Sequence, residues 1–519
     1  MRRASTLAAP LLFSSIFFAL VVPLCFWPAV NASTALIGLS VYALVCVGMS
    51  VELSELLLAL FWKPVPLPAL ADVSTGRRRR VAVLMTICDD GDEHCLLSLR
   101  PLADAGYQVF LLDDSAMPAA VPDSIETSIT VVRRNGRQGA KAGNINHWLK
   151  RHGEAHDLCI LLDSDSVVSP VAADALVRVA DHPGNAHLAI LQASVLPHLV
   201  GKPTWVQRVL AAGATVRRRI YARVHARLDT LLSFGHNQLL RLSALRAMGG
   251  MDESRSAEDT VLSLRLAAAG FGVGLVDVGT HDTDPRTLDR YLRRTVRWAR
   301  QTVELFSSDW YAVPLRYKLV LCWHLLSYLM PILTTVLLLF SLWRSPTSPA
   351  AVVDFTTAAL SFEPGYEWYG VAIWPGLMAV LLRTCLATAI TVLDGGNLGG
   401  RIRAALVGGA IQAFVLLPLM IGMLTSARGN LVPFEPTNST RTVGSIRAMA
   451  LGCGGAIGLF AVMLFGLAFH PGGIMVGLNG LWCIGLLGVP VLVFALAIKR
   501  FGAPRAEARD LLRRQLTER

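Results

Sequence analysis

Apolar segments long enough to span a bilayer flank a polar block of very different composition. About 20 consecutive apolar residues suffice for a membrane helix. Segments of that kind run at 9–30, 35–62, 319–343, 371–393, 402–426, 446–469 and 475–498, whereas residues 64–317 are polar and charged. The sequence therefore predicts two N-terminal membrane helices (1–63), an α/β domain (64–317) and a C-terminal bundle of membrane helices (318–498).

Composition supports a mixed protein. The 519-residue chain is 53% hydrophobic with a net charge of +11, and its mean hydropathy is +0.49. It is too apolar for a soluble enzyme and too charged in its middle for a pure transporter. The 9 cysteines form no Cys-x-x-Cys spacing, which argues against a zinc site or a disulfide framework. Membrane lipid is an expected partner, and nucleic acid is not.

Basic residues predict the topology. Lys63 and Arg77–Arg80 follow the second apolar segment, so the polar domain is expected in the cytoplasm. The basic tail, 499–519, is expected there too. The number of membrane crossings between the polar domain and the tail must then be even. We therefore assign 402–426 to the inner face, where it does not cross the membrane, with a cytoplasmic loop at 427–445. The first segment could alternatively be a signal peptide.

Predicted strands of the polar domain end in acidic residues. The strands Val81–Met85, Tyr107–Leu112 and Cys159–Leu162 lead into Asp89-Asp90, Asp113-Asp114 and Asp163-Ser164-Asp165. Helical stretches between them predict a parallel sheet, whose carboxyl edge is where such folds bind ligands. Asp163 and Asp165 could hold a divalent cation that takes its other ligands from a diphosphate. The alternative is a solvated turn.

A basic, glycine-containing stretch follows the second strand. It contains Arg133, Arg134 and Arg137 and continues into Lys141-Ala142-Gly143-Asn144. Glycines allow close approach of the backbone, and Lys141 can meet a phosphate as a point charge. The alternative is a solvated basic loop without a ligand, and this alternative applies more strongly to the arginines than to Lys141.

Two further groups of residues lie before the C-terminal apolar region. Glu258-Asp259 begins a predicted helix that ends at Gly270, where Asp259 could act as a general base, although acids also simply cap helices. Arg294, Arg297 and Trp298 share one face of a predicted helix at 288–306. The guanidinium groups can bind phosphate and the indole a sugar ring. A basic helix on a lipid surface would carry similar residues.

Taken together, these motifs resemble the membrane-embedded, inverting family 2 glycosyltransferases that include cellulose and hyaluronan synthases. The similarity rests on the order of Asp-Asp, Asp-x-Asp, Glu-Asp and Arg-x-x-Arg-Trp. Lys141-Ala142-Gly143-Asn144-Ile145 and Gly235-His236-Asn237 resemble the bacterial branch that makes periplasmic glucans. The resemblance implies a nucleotide-sugar transferase domain of the GT-A type inserted between membrane helices.

The resemblance also implies roles for individual residues. Asp259 would be the catalytic base and Asp163 with Asp165 would hold Mg²⁺ or Mn²⁺. The UDP-sugar, expected to be UDP-glucose, would contact Asp90, Asp113, Asp114, Lys141, Asp163, Arg294 and Arg297. The growing glucan would contact Trp298, His236, Asn237 and Glu258. The loop at 427–445 would correspond to the gating loop of cellulose synthases, and Arg383 would face a glucan channel or pack against another helix.

Alternatives remain open at this point. The chain could be a synthase for another UDP-sugar, a non-processive transferase to a lipid acceptor, or an idle nucleotide-sugar sensor or export channel. Thr86-Ile87-Cys88-Asp89-Asp90 departs from the family's usual Pro, aromatic, Asn and Glu at the first strand. This departure affects the product more than the reaction.

Overall fold

The computed structural model describes residues 35–62, 65–71, 80–91, 93–199, 203–306, 313–343, 385–390, 415 and 417–425. The predicted segments at 9–30, 446–469 and 475–498, the loop at 427–445, the tail at 499–519 and Arg383 lie outside these residues. Within the described ranges, none of the helices combines the length and the apolar run that crossing a membrane requires.

The described elements alternate between strands and helices over most of the polar domain. The strands are β1 (Val81–Ile87), β2 (Gln108–Asp113), β3 (Thr130–Arg133), β4 (Leu158–Asp163), β5 (Ser166–Val167), β6 (Leu188–Pro197), β7 (Gln238–Arg241) and β8 (Gly272–Asp282). The helices are α1 (Ala35–Phe61), α2 (Glu93–Leu97), α3 (Arg100–Asp104), α4 (Asp123–Glu126), α5 (Ala140–His152), α6 (Pro170–Asp181), α7 (Trp205–Arg227), α8 (Leu242–Ala247), α9 (Glu258–Ala268), α10 (Leu288–Leu305) and α11 (Leu315–Trp343).

In the described part of the chain the strands form one 8-stranded sheet with the order β3-β2-β1-β4-β7-β6-β8-β5. The half containing β3, β2, β1 and β4 is parallel, as predicted. The sheet as a whole is mixed, because β7 runs antiparallel to both β4 and β6. The chain enters β7 from the edge where β4 ends. Gly235–Asn237 therefore lies beside the end of β4 instead of at the opposite edge.

Alternate residues of each strand face opposite layers of the core. Val83 and Met85 of β1 pack with residues of α3 and α6 on one face. Ala82 and Leu84 pack with residues of α5, α8 and α9 on the other face. Both faces are covered by helices, which explains why the central strands are continuous apolar runs.

Local capping signals set the start of α6 and the end of α9. The Ser169 hydroxyl accepts a hydrogen bond from the Ala172 amide at 3.2 Å, and Pro170 occupies the first turn of α6. Helix α9 is followed by Gly270 at φ +85°, a left-handed conformation that glycine tolerates. Two predicted apolar segments, 35–62 and 319–343, coincide with α1 and α11, and these two helices pack against each other.

Candidate active site

The acidic residues at the strand ends lie side by side at one edge of the sheet. In the strand register, Thr86 is paired with Asp163 and Ile87 with Asp113. The carboxyl ends of β1, β2 and β4 therefore meet, as the sequence predicts. The residues around this edge make up the candidate site.

Asp113 is held by the protein through both carboxylate oxygens. Its Oδ1 accepts the Ser115 amide at 2.8 Å and its Oδ2 accepts the Ala119 amide at 3.0 Å. Arg133 also donates to Oδ2. These contacts fix the loop after β2, so Asp113 holds the backbone at this edge of the sheet.

The neighbouring arginines are paired with acids in the same way. Arg134 binds Asp114 through Nε at 2.9 Å and Nη2 at 2.7 Å, and both side chains are less than 10% exposed. Arg137 binds Asp89 at 2.7 Å. The basic loop predicted to meet a diphosphate thus neutralises carboxylates of the sheet edge in this structure.

Asp90 links the loop after β1 to the Asp-x-Asp loop. Its Oδ1 accepts the Cys88 amide at 2.7 Å and its Oδ2 accepts the Ser164 hydroxyl at 2.9 Å. Burial raises the pKa of Asp90 to about 6, although these hydrogen bonds oppose the shift. Asp90 therefore joins the loop after β1 to the loop that carries Asp163 and Asp165.

Lys141 is the central cation of the site. Its Nζ donates to Asp163 Oδ1 at 2.5 Å and to the Gly235 carbonyl at 2.9 Å. Burial alone would lower the pKa of Lys141, but Asp163, Glu258 and Asp259 outweigh this effect and raise it. Lys141 therefore stays protonated and joins α5, β4 and the loop before β7.

Glu258 and Asp259 occupy the first turn of α9 and face the same cation. Burial, with repulsion by Asp259, raises the pKa of Glu258 to about 7. Burial also raises the pKa of Asp259, although Lys141 opposes this shift. A Cβ added at Gly235, which has φ +80°, would lie 2.5 Å from Asp259 Oδ2. Only glycine leaves room for the Asp259 carboxylate here.

Helix α10 brings its motif against this cluster. Arg297 is buried, which lowers its pKa, while Glu258 and Asp163 act in the opposite direction. Arg294 binds Asp284 at 3.0 Å and lies 4.8 Å from the centre of the Trp298 ring. Trp298 is 37% exposed. The indole is therefore held by a cation on one face and remains accessible beside the cluster.

The same helix also fixes the turn that precedes Glu258. Gln301 donates to the Ser256 carbonyl, and the Ser256 hydroxyl donates to Glu304 Oε2 at 2.6 Å. Gln301 and Glu304 are not among the site residues that the sequence predicts. They position Glu258 and Asp259 relative to Arg297.

His236 and Asn237 differ in their surroundings. His236 lies 3.5 Å from Ser166 Oγ through Nδ1 and 3.9 Å from Asp282 Oδ2 through Nε2. Asn237 is fully buried, and its side chain donates to the His281 carbonyl at 3.1 Å. His236 therefore lies beside the loop that carries Asp165, whereas the Asn237 side chain joins the loop before β7 to β8.

The carboxylates around Asp165 fit a divalent cation. Burial and the adjacent carboxyl group of Asp282, which is hydrogen-bonded to it, raise the pKa of Asp165 well above its ordinary value. Asp163 and Asp90 add to the same repulsion. Within the described residues, no three His, Cys, Asp or Glu side chains are arranged to hold a metal by themselves. A cation on Asp163 and Asp165 would therefore need oxygen ligands from a substrate.

Asp282 and Asp284 are site residues that sequence reasoning missed. Asp282 is the last residue of β8 and Asp284 lies two residues further on, and both are buried. The rule that identified Asp90, Asp113 and Asp163, acids at the end of an apolar strand, would have found them too.

Comparisons with known proteins agree with this arrangement. The profile of glycosyl transferase family group 2 matches residues 158–392, which include Asp163, Asp165, Asp259 and the Arg-x-x-Arg-Trp motif. This part of the chain is therefore similar to the family 2 glycosyltransferases. The resemblance predicted from the sequence is thereby confirmed, and with it the prediction of a hexosyltransferase domain.

Curated relatives of this domain are named glucans biosynthesis glucosyltransferase H. The protein from Salmonella typhimurium is 27% identical over 262 residues, which are 44% of this chain and 30% of that protein. The protein from Cereibacter sphaeroides is 23% identical over 327 residues, covering 56% of this chain and 52% of that protein. The matched part of the chain thus spans 30% of one relative's length and 52% of the other's.

Solved structures of similar fold include a mannosyltransferase from Pyrobaculum calidifontis in complex with GDP-mannose and Mn²⁺. It is 17% identical, with a TM-score of 0.46, and the alignment covers 67% of this chain and 99% of that chain.

Proposed function

We propose that the family 2 domain transfers glucose from UDP-glucose, with inversion, to a growing β-glucan on the cytoplasmic face of the bacterial inner membrane, and that the chain exports this glucan. The names of the curated relatives support the sugar and the product class. A synthase for another UDP-sugar, or a non-processive transferase to a lipid acceptor, would use the same residues.

One observation carries the proposal. Lys141 joins Asp163 to the Gly235 carbonyl, and Gly235 in turn abuts Asp259. Asp163, which is expected at the donor diphosphate, is therefore connected through Lys141 and Gly235 to Asp259, which is expected at the acceptor. A nucleotide-sugar sensor without transferase activity would need Asp163 but not Asp259.

The reaction can be written with these residues. The acceptor hydroxyl oxygen attacks C1 of the donor sugar, the bond from C1 to the diphosphate oxygen breaks, and the electron pair leaves with UDP. The hydroxyl proton passes to the Asp259 carboxylate. The raised pKa of Asp259 brings it nearer to neutral pH, where a general base works best.

The leaving diphosphate requires positive charge. Asp163 and Asp165 would hold a divalent cation, Mg²⁺ or Mn²⁺, which as a Lewis acid stabilises the leaving group. Lys141 and Arg297 add fixed cations in a buried setting, where electrostatic stabilisation is strongest. Trp298 offers its exposed ring to an acceptor sugar.

The membrane part of the proposal rests on the hydropathy of the sequence and on its basic flanks. A described contact supports the placing of 402–426 near the site. Val415, Leu419 and Met423 pack with Leu292 and Ala299 of α10. A contact between 402–426 and α10 is expected if 402–426 lies on the cytoplasmic face and the loop at 427–445 reaches the donor.

The experiment has two arms. Membranes containing the protein are incubated with labelled UDP-sugars, and the product is subjected to linkage analysis; β-linked glucan from UDP-glucose is expected. Asp259→Asn should abolish transfer and leave UDP affinity nearly unchanged, whereas Asp277→Asn, an exposed acid on β8, should leave both unchanged. Failure to transfer any UDP-sugar, or a parallel fall in UDP affinity, would contradict the proposal.

A further inference from the structure

A concave, basic surface lies on the far side of α5 from the catalytic edge. The cavity has a volume of about 480 Å³ and is lined by Arg133, Arg134, Asn135, Gln138, Gly143, Asn146, His147, Lys150, Arg151 and Glu253. We call it the α5 cavity. Its volume lies within the range of pockets that hold small molecules.

The geometry of α5 separates this cavity from Lys141. Successive helical residues are rotated by about 100°, so Gly143, Asn146 and Lys150 lie roughly opposite Lys141 around the helix axis. Lys141 reaches Asp163, whereas the opposite face borders the cavity. A ligand in the α5 cavity would therefore not occupy the donor diphosphate position.

The charge of the α5 cavity is positive. Its one lining acid, Glu253, accepts a hydrogen bond from Asn146 at 2.8 Å. Arg133 and Arg134 are paired with Asp113 and Asp114.

Lys150 and Arg151, by contrast, have no acidic partner among the described residues. Both lie in the last turn of α5, where the helix dipole favours cations. The helix dipole explains why cations occur in this turn. It does not explain why Lys150 and Arg151 line a cavity together with Arg133 and Arg134.

His147 provides a second indication. It lines the cavity, and its Nε2 is buried with no hydrogen-bond partner in the described part of the chain. Buried polar atoms of proteins are nearly always hydrogen-bonded, so an orphaned one beside a polar cavity indicates a missing hydrogen-bond partner. Amide groups of Asn135 and Gln138 complete a lining suited to oxygen-rich groups.

We propose that the α5 cavity binds a phosphorylated small molecule with at least two negative charges, separately from the donor. Lys150 and Arg151 supply the unpaired charges, and Arg134 contacts the ligand while remaining on Asp114. Because Arg134 also donates to the Gln138 and Ala140 carbonyls just before Lys141, the bound anion adjoins the segment that carries the central cation of the active site.

Inorganic pyrophosphate is a suitable probe, and calorimetry of the purified full chain in the presence of a chelator measures its binding directly. Lys150→Ala combined with Arg151→Ala should weaken binding at least 10-fold, about 1.4 kcal/mol. The exposed Arg208→Ala is the matched control and should bind like the wild type. Circular dichroism of each variant verifies folding.

Lys141→Ala distinguishes the two sites, because it removes the cation of the catalytic edge. Pyrophosphate binding that survives Lys141→Ala but falls in the double variant supports the proposal. Binding that is lost in Lys141→Ala and kept in the double variant would overturn it, as would the absence of binding to the wild type. None of these outcomes depends on sugar transfer, so a failure here is separate from a failure of the proposed function.

Discussion

Replacement of Gly235 by alanine should impair catalysis through a single contact. The added Cβ would lie 2.5 Å from Asp259 Oδ2, whereas ordinary van der Waals contacts of a Cβ begin at 3.4 Å. The carboxylate must therefore recede by about 0.9 Å, and a displacement near 1 Å of a reacting group can lower the rate about 100-fold.

Backbone strain accompanies this contact but can be separated from it. A non-glycine residue in the left-handed region costs about 1–2 kcal/mol. Gly235 has φ +80° and Gly249 has φ +77°, but a Cβ at Gly249 would meet nothing within 4 Å. Gly249→Ala therefore carries the same strain without the contact.

The assay compares turnover and unfolding for the two variants. Both should lose similar stability in denaturant unfolding, and only Gly235→Ala should lose about 100-fold in kcat. Equal turnover of the two variants would refute the assignment of Asp259 as the base in contact with Gly235. A loss of UDP affinity in Gly235→Ala as large as the loss of turnover would also refute it.

Other predictions concern metal, burial and pH. Asp163→Ala and Asp165→Ala should each weaken metal-dependent UDP binding and turnover, and full activity of the wild type in excess chelator would contradict this. Arg134→Ala, which strands a buried carboxylate, should lower the free energy of unfolding by about 3–5 kcal/mol. Arg100→Ala, in an exposed pair, should lower it by less than about 1 kcal/mol in the same denaturant titration. Burial and Asp259 raise the pKa of Glu258 from 4.5 to about 7, so its contribution to stability is present below pH 4.5 and is lost as the pH rises through 7. Glu258→Gln should therefore remove this contribution from the difference between the melting temperatures measured below pH 4.5 and above pH 7.

Elements with strong local signals could be predicted from the sequence. β1 and β4 are apolar runs that end in acids, and the observed strands extend the predicted ones by only one or two residues at either end. The Ser169 cap and the span of α10 were likewise predictable, because a cap and an amphipathic period are properties of neighbouring residues.

The direction of β7 could not be predicted, because it depends on long-range pairing. β7 is a short strand, Gln238–Arg241, and nothing in its four residues specifies an antiparallel partner. Its direction is set by where the chain arrives after α7. This direction is also what brings Gly235 to Lys141, so the most important contact of the site was beyond sequence reasoning.

The roles of the charged side chains were predictable only in part. Asp163, Lys141 and Asp259 meet as the motif order indicates. Arg134 gave the same sequence signal as Lys141, a cation beside glycine, yet it binds Asp114. Two adjacent arginines and two adjacent aspartates can pair or bind ligands, and only the distance between β2 and the β3–α5 loop decides which occurs.

Charge balance at the sheet edge indicates how a donor must bind. Asp90, Asp163, Asp165 and Asp282 crowd together, and burial with mutual repulsion raises the pKa of Asp90 and of Asp165. Lys141 compensates for only one of these charges, at Asp163. The donor of the proposed reaction, a sugar diphosphate, would add negative charge of its own, which calls for positive charge beyond Lys141 and Arg297. A divalent cation shared by the carboxylates and the diphosphate would supply it, so under the proposed function metal binding and nucleotide binding would depend on each other at this edge.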